Sequence, residues 1–147
     1  MINTTNFEEA KYLINKQKTE NKEKIIVIAQ TTEFNRKILE YGKFNILLSI
    51  ENSTEKSSLR QLNSGLNEIL AKIALKNGIS IGIDLLELKK LGKKENAIRL
   101  TKIRQNMDIC KKTHTSLVLL NYHNKRNALS FLLSLDLSSK EAKKALE

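Results

Sequence analysis

The stretch "NSGLNEILAKIALKNGISIGIDL", Asn63 to Leu85, decides the fold, because it reads as a helix, a glycine stop and a strand in succession. Leu66, Ile69, Leu70, Ile73 and Ala74 recur at i, i+3, i+4, i+7 and i+8, one face of a helix. Asn63 or Ser64 supplies the cap, and Gly78 supplies the left-handed stop. The strand that follows alternates strictly. Ile79, Ile81, Ile83 and Leu85 share one side, and Ser80, Gly82 and Asp84 share the other. Large residues facing outward to helices and small ones facing a crowded centre is the pattern of a strand in a parallel α/β barrel. Gly65 is a poor residue for a first turn, so a close crossing of two chain segments is expected there. The exposed amides of this helix start are also able to hold a phosphate.

Outward from this unit the same grammar repeats. "IIVIA", Ile25 to Ala29, and "FNILLSI", Phe44 to Ile50, are apolar runs rich in β-branched residues, expected for strands covered on both faces. Between them Thr32 caps a short helix that Gly42 ends. At the N-terminus Asn6 caps a helix with Phe7, Ala10 and Ile14 on one face, and a polar linker follows. Residues 51–63 read as a polar loop rich in serine and asparagine. On the other side a long helix is expected over Glu95–Thr113, with Leu100, Ile103, Met107 and Cys110 as its apolar stripe. "SLVLL", Ser116 to Leu120, is another buried strand, and "NALSFLL" a helix. Ser138 stands three residues before Glu141, a capping box that opens the last helix.

Alternating strands and helices imply a parallel sheet with helices packed over it, either a barrel or an open sheet. Four strands are too few to close a barrel by themselves, and the N-terminal part has room for one more irregular strand. The expected organisation is an N-terminal helix and linker over residues 1–24 and a single β/α domain over residues 25–147.

Composition narrows the function. The chain has 147 residues, 40% of them apolar, enough for one domain with a core. No stretch approaches the length and apolarity of a membrane helix or a secretory signal, so a cytoplasmic protein is expected. Cys110 is the only cysteine, which excludes an internal disulfide and a cysteine-rich zinc site. It reads as a small core residue. The 26 basic and 16 acidic groups leave a net charge of +10. The excess is local: residues 93–126 hold 9 basic and 2 acidic groups. A concentrated positive field attracts polyanions, nucleic acid above all, although a solvated lysine-rich face has the same composition.

Signatures of nucleotide-binding loops and hydrolase elbows are absent. His114 lies in a turn and His123 in a loop, and neither has a histidine or cysteine at ligand spacing. Asp84 lies near the C-terminal end of a strand, where barrel enzymes place catalytic groups, and Glu33 follows the first strand. Two such carboxylates would suit a divalent metal. In the basic helix Arg99 and Lys102 fall on one flank of the apolar stripe, and Arg104 and Lys111 on the other, with Lys112 further round. Lys93, Lys94, Lys125 and Arg126 extend the positive surface. Only Tyr122 offers an aromatic ring in this segment, so recognition of structured RNA through backbone and shape fits better than stacking on splayed bases.

Taken in order, "IAQTTEFNRKILEYGKFNILLS", the Asn63–Leu85 stretch, "IRLTKIRQNMDICKKTHTSLVLLN" and "ALSFLLSLDLSSKEAKKALE" resemble protein component 3 of archaeal ribonuclease P, from Ile25 to Glu147. The resemblance implies a TIM-barrel-like parallel β/α fold, incomplete or shortened in this chain, related to metal-dependent phosphoesterases of the polymerase-and-histidinol-phosphatase type. It implies a subunit that binds ribonuclease P RNA and supports RNA-catalysed removal of the 5′ leader from precursor tRNA. In that family the protein binds no cofactor, the partner RNA uses magnesium, and protein component 2 is the protein partner. An RNA-facing role is implied for Arg36, Arg99 and Arg104, and at further matching positions for Arg60 and Arg126. Lys102 and Lys111 join them on the two helix flanks. The chain departs from the family in lacking its opening strand and in carrying Asp136 where a glycine is usual. The alternative reading is a stand-alone metal-dependent phosphoesterase of a related barrel fold using Glu33 and Asp84.

Overall fold

The computed structural model describes residues 1–20, 23–53 and 62–147. Its strands are β1 (Ile26–Ile28), β2 (Ile46–Leu48), β3 (Ser80–Asp84) and β4 (Leu117–Leu120). Its helices are α1 (Phe7–Glu20), α2 (Thr32–Tyr41), α3 (Glu68–Lys76), α4 (Leu85–Lys89), α5 (Lys93–Thr113), α6 (Lys125–Ser134) and α7 (Ser139–Lys144). The four strands form one parallel sheet in the order β1-β2-β3-β4. Each strand therefore lies beside its predecessor, with no reversal of order. A doubly wound sheet reverses at a switch point, whereas a sheet wound in one direction keeps its helices on one side, as a barrel does. The fold is a shortened, barrel-like parallel β/α sheet.

The edges explain how it stays shortened. Ile2 makes a one-residue parallel bridge to Val27, donating to the Ile26 carbonyl at 2.8 Å and accepting from the Ile28 amide at 2.9 Å. Among the described residues, that bridge is the whole of the irregular strand expected ahead of Ile25. At the other edge the Leu119 amide donates to the Ala145 carbonyl at 2.8 Å. Both outer strands thus have part of their open hydrogen-bonding row occupied.

The two faces of the sheet differ as the alternation in β3 requires. Val27, Leu47 and Ile81 are buried with Ala10, Ile14, Ile38, Leu39, Leu70 and Ala74 in one helix-side cluster. Ile83 and Leu119 are buried with Leu88, Ile103, Met107, Ala128 and Leu132 in a second. Leu117 packs against both. On the inner face Gly82 registers with Leu48 and Val118. A Cβ at Gly82 would stand 2.7 Å from the Ile46 side chain, so only glycine lets β2 side chains cross that row.

Several local expectations change. Thr31, not Thr32, caps α2, its hydroxyl accepting from the Phe34 amide. Asn67, not Asn63 or Ser64, caps α3, accepting from the Leu70 amide at 2.9 Å. The buried stripe of α3 is accordingly Leu70, Ala71 and Ala74, while Ile69 is 66% exposed. The reason is Gly65, whose φ is +82° and whose Cβ would stand 2.2 Å from the Ile50 carbonyl oxygen. The chain crosses another segment there and cannot yet be helical. Gly78 ends α3 as expected: its amide bonds to Leu75 and the Ile79 amide to Ala74, the pairing of a Schellman stop. The capping box of α7 is present. Helix α4 adds an element to the expected order, between β3 and α5. It forms because Asp84 accepts from the Leu86 and Glu87 amides.

Candidate nucleic-acid interface

Helix α5 organises the basic surface. It buries Ile103, Asn106, Met107 and Cys110, and Leu100 packs partly buried beside them. Burial pushes the Cys110 thiol up to about 12, which makes it a poor nucleophile. The Asn106 amide group donates to the Ser64 carbonyl at 3.1 Å and so holds the Gly65 crossing against the helix. Lys111 and Lys112 in the last turn complement the helix dipole, and His114 takes the left-handed cap position with φ +60°.

The cations divide between two flanks, as their spacing on the helix requires. On one flank the Arg99 guanidinium donates to the Asn52 side-chain carbonyl, and the Lys102 ammonium to the Ser53 carbonyl at 3.4 Å. On the other flank Arg104 pairs with Asp136 in the turn between α6 and α7. Asp136 has φ +69°, a left-handed conformation that glycine adopts with less strain. Lys111 shares a cavity of about 200 Å³ with His114, Glu141 and Lys144. The Glu141 carboxyl is held below its usual range, first by the Ser138 hydroxyl and backbone, with Lys111 contributing. Lys112, further round, pairs with Glu68 on α3 and lowers its carboxyl.

The remaining candidates lie elsewhere. Arg36 is on α2, exposed and paired with Glu40 at 3.0 Å. Arg126 is in the first turn of α6, where with Lys125 and Lys143 it lines a cavity of about 420 Å³. Arg60 lies outside the described residues. The structure therefore joins Lys111 and Arg126 to the α7 lysines, keeps Arg99 and Lys102 on the opposite flank, and separates Arg36 from both.

The two carboxylates suggested for metal chemistry are engaged separately. Glu33 is exposed on α2 and bonded to Lys37 at 2.6 Å, which lowers its carboxyl. Asp84 is buried, caps α4 and accepts from the Asn121 side chain at 2.6 Å. Among the described residues no group of three or more His, Cys, Asp and Glu side chains is arranged to hold a metal.

A polar cluster at the C-terminal ends of the strands is not foreseen from the sequence. After β2 the chain turns through Ser49 at φ +60° into a 3-10 turn, Ile50–Asn52. Glu51 is consequently only 3% exposed, although residues 51–63 read as loop. Its Oε2 atom has no hydrogen-bond partner among the described residues. Burial pushes the Glu51 carboxyl up to about 7; its own backbone amide and then nearby Arg99 oppose that rise, while Glu87 and Asp84 add to it. Glu87 accepts from the Ser49 hydroxyl at 3.2 Å and from Asn52 at 3.0 Å. The available signal is an acid placed directly after an apolar strand in a parallel fold, the end where such folds collect polar chemistry.

Among the described residues no helix is long and apolar enough to cross a membrane. Neither a protein-family model nor a curated protein matches the chain. Among solved structures, a chain of the cryo-EM structure of archaeal ribonuclease P with mature tRNA superposes with a TM-score of 0.79 at 21% identity, over 98% of this chain. The present chain spans 62% of that chain's length, and the two share one fold.

Proposed function

We propose that this protein is an RNA-binding subunit of ribonuclease P that supports RNA-catalysed removal of the 5′ leader from precursor tRNA. The observation that carries the reading is the superposition of 98% of the chain on a component of a ribonuclease P–tRNA complex. The ordered sequence resemblance and the positive charge concentrated on and around α5 point the same way. In this reading the catalyst is the RNA with its magnesium, the protein binds no cofactor, and component 2 is its protein partner.

The chain's own part is electrostatic. Lys111 and Arg126 face cavities that each hold at least one other lysine and one glutamate, Glu141 and Glu147 respectively, so cations are in excess there for a phosphate to meet. Arg36 and Arg104 are held in exposed ion pairs. Such pairs are worth about 0.2–1 kcal/mol, so a phosphate competes for these guanidinium groups at small cost. Each cation that meets a phosphate releases counterions, which makes binding fall steeply with salt.

Precursor-tRNA cleavage reconstituted from the cognate RNA, with and without this protein, tests the proposal. The protein should raise cleavage at low magnesium, and replacing Arg99 and Arg104 by alanine should weaken that gain. A protein that leaves cleavage unchanged and does not bind the RNA at low salt would refute the assignment.

A further inference from the structure

The cluster at the strand ends opens into a cavity of about 350 Å³ whose lining has a definite order. Glu51 contributes a buried carboxyl with one oxygen unpartnered, Leu91 and Ile98 form apolar walls, and Arg99, Lys102 and a second acid, Glu95, stand beside them. Ile98 is 50% exposed, an uncovered apolar surface next to two cations. A buried acceptor without a donor costs stability, and it is the feature here that asks for a ligand.

The lining discriminates between ligand classes. A lone carboxylate or phosphate would meet Arg99 and Lys102 but would bring no donor to Glu51 and nothing to cover Leu91 and Ile98. A simple ammonium or guanidinium would suit Glu51 and Glu95 but would leave Arg99 and Lys102 without an anion and the apolar walls uncovered. A nucleotide combines what the lining requires: an N–H donor on the base edge, two flat apolar faces and an anionic phosphate. We propose that this cavity takes one unpaired nucleotide of an RNA, its base edge donating to Glu51 and lying against Leu91 and Ile98, its phosphate on Arg99 and Lys102. This rests on the RNA-binding reading above and adds to it a specific nucleotide site. Extrahelical bases are recognised by such edge contacts, and a guanidinium plane such as that of Arg99 serves as a stacking surface where aromatic rings are few, which adds one splayed base to the backbone and shape recognition expected from the sequence.

Binding of two RNA hairpins that differ only in one bulged nucleotide tests this. The wild-type chain should prefer the bulged hairpin about tenfold, the effect of one hydrogen bond to a charged group. Glu51→Leu should bind both hairpins equally, with the paired hairpin bound as by wild type. That variant removes the acceptor while replacing a buried unpaired carboxyl with an apolar group, so it should melt no lower than wild type. In Lys102→Ala the bulged hairpin should weaken more than the paired one. GMP and ribose 5-phosphate, titrated into isotope-labelled protein, separate the possible sources of the nucleotide. Equal wild-type affinity for both hairpins, with GMP bound no better than ribose 5-phosphate, overturns the site while leaving the RNA-binding reading standing, and so does a full bulge preference in Glu51→Leu. GMP bound above ribose 5-phosphate without any bulge preference overturns the RNA source in favour of a free nucleotide. No binding of either hairpin at low salt overturns both readings.

Discussion

The two flanks of α5 carry the same kinds of residue and meet different surroundings. Toward the strand ends, Arg99 and Lys102 donate to neutral carbonyl oxygens, and a buried carboxyl sits behind them. Toward α6 and α7, Arg104 pairs with an exposed carboxylate and Lys111 lies near another. The first flank is half-buried over a buried carboxyl, where attraction is less screened; the second is exposed to solvent, where it is screened more. Position on a helix thus assigns identical charges to different work.

The largest test of this contrast removes the support of the first flank. Gly65→Ala places a Cβ against the Ile50 carbonyl at a left-handed φ, so the crossing that holds the 3-10 turn must open. A loss of about 3 kcal/mol or more is expected in chemical denaturation; a variant as stable as wild type would show that the crossing is dispensable.

Next in size is Glu51→Gln. The folded carboxyl titrates near 7 and its ordinary value is 4.5. Since the folded state binds the proton more tightly, its contribution to stability is full below pH 4.5 and is lost as pH rises through 7. Arg99 from α5, Glu87 from α4 and Asp84 at the end of β3 all face this group. Glutamine should therefore stabilise the protein by about 1–3 kcal/mol at about pH 8, and by much less at about pH 4.5. Melting curves at the two pH values decide it; a gain independent of pH would mean that charge is not the cause.

The two flanks should also separate in RNA binding. Replacing Arg104 and Lys111 together should reduce the salt slope by about 0.7–0.9 for each phosphate no longer neutralised, affecting all RNAs alike. Replacing Arg99 and Lys102 should in addition reduce discrimination between RNAs. Identical salt slopes and identical discrimination for the two double variants would erase the distinction.

The smallest effect belongs to Asp136→Gly. Glycine relieves the left-handed backbone, and the Arg104 pair it removes is exposed. Stability should stay within about 1 kcal/mol of wild type, while RNA affinity rises because one acid is gone and Arg104 is released. A fall in affinity would mean that the pair positions Arg104 rather than restraining it.

Much of the fold is legible in the sequence because it rests on short-range pattern. The alternation of β3, the Gly42 and Gly78 stops, the capping box at Ser138 and the flanking positions of the α5 cations all follow from residues a few places apart. The departures share a cause. Ile69 fits the helical period but is exposed, because α3 begins three residues after Gly65 instead of beside it. Glu51 lies in a polar stretch and is buried, because the turn after Ser49 folds it beneath α5.

By itself the sequence determined the alternation of strands and helices apart from α4, the parallel sheet and the placement of the basic residues around one helix, since periodicity and charge are local properties. Only the tertiary structure decided that the sheet is wound in one direction with both edges partly occupied. It alone brought Glu51, Asp84, Glu87 and Arg99 together from four separate elements, and it alone separated Glu33 from Asp84. Those outcomes depend on which distant segments pack against one another, and burial, which sets the strength of every charge here, exists only once they have packed.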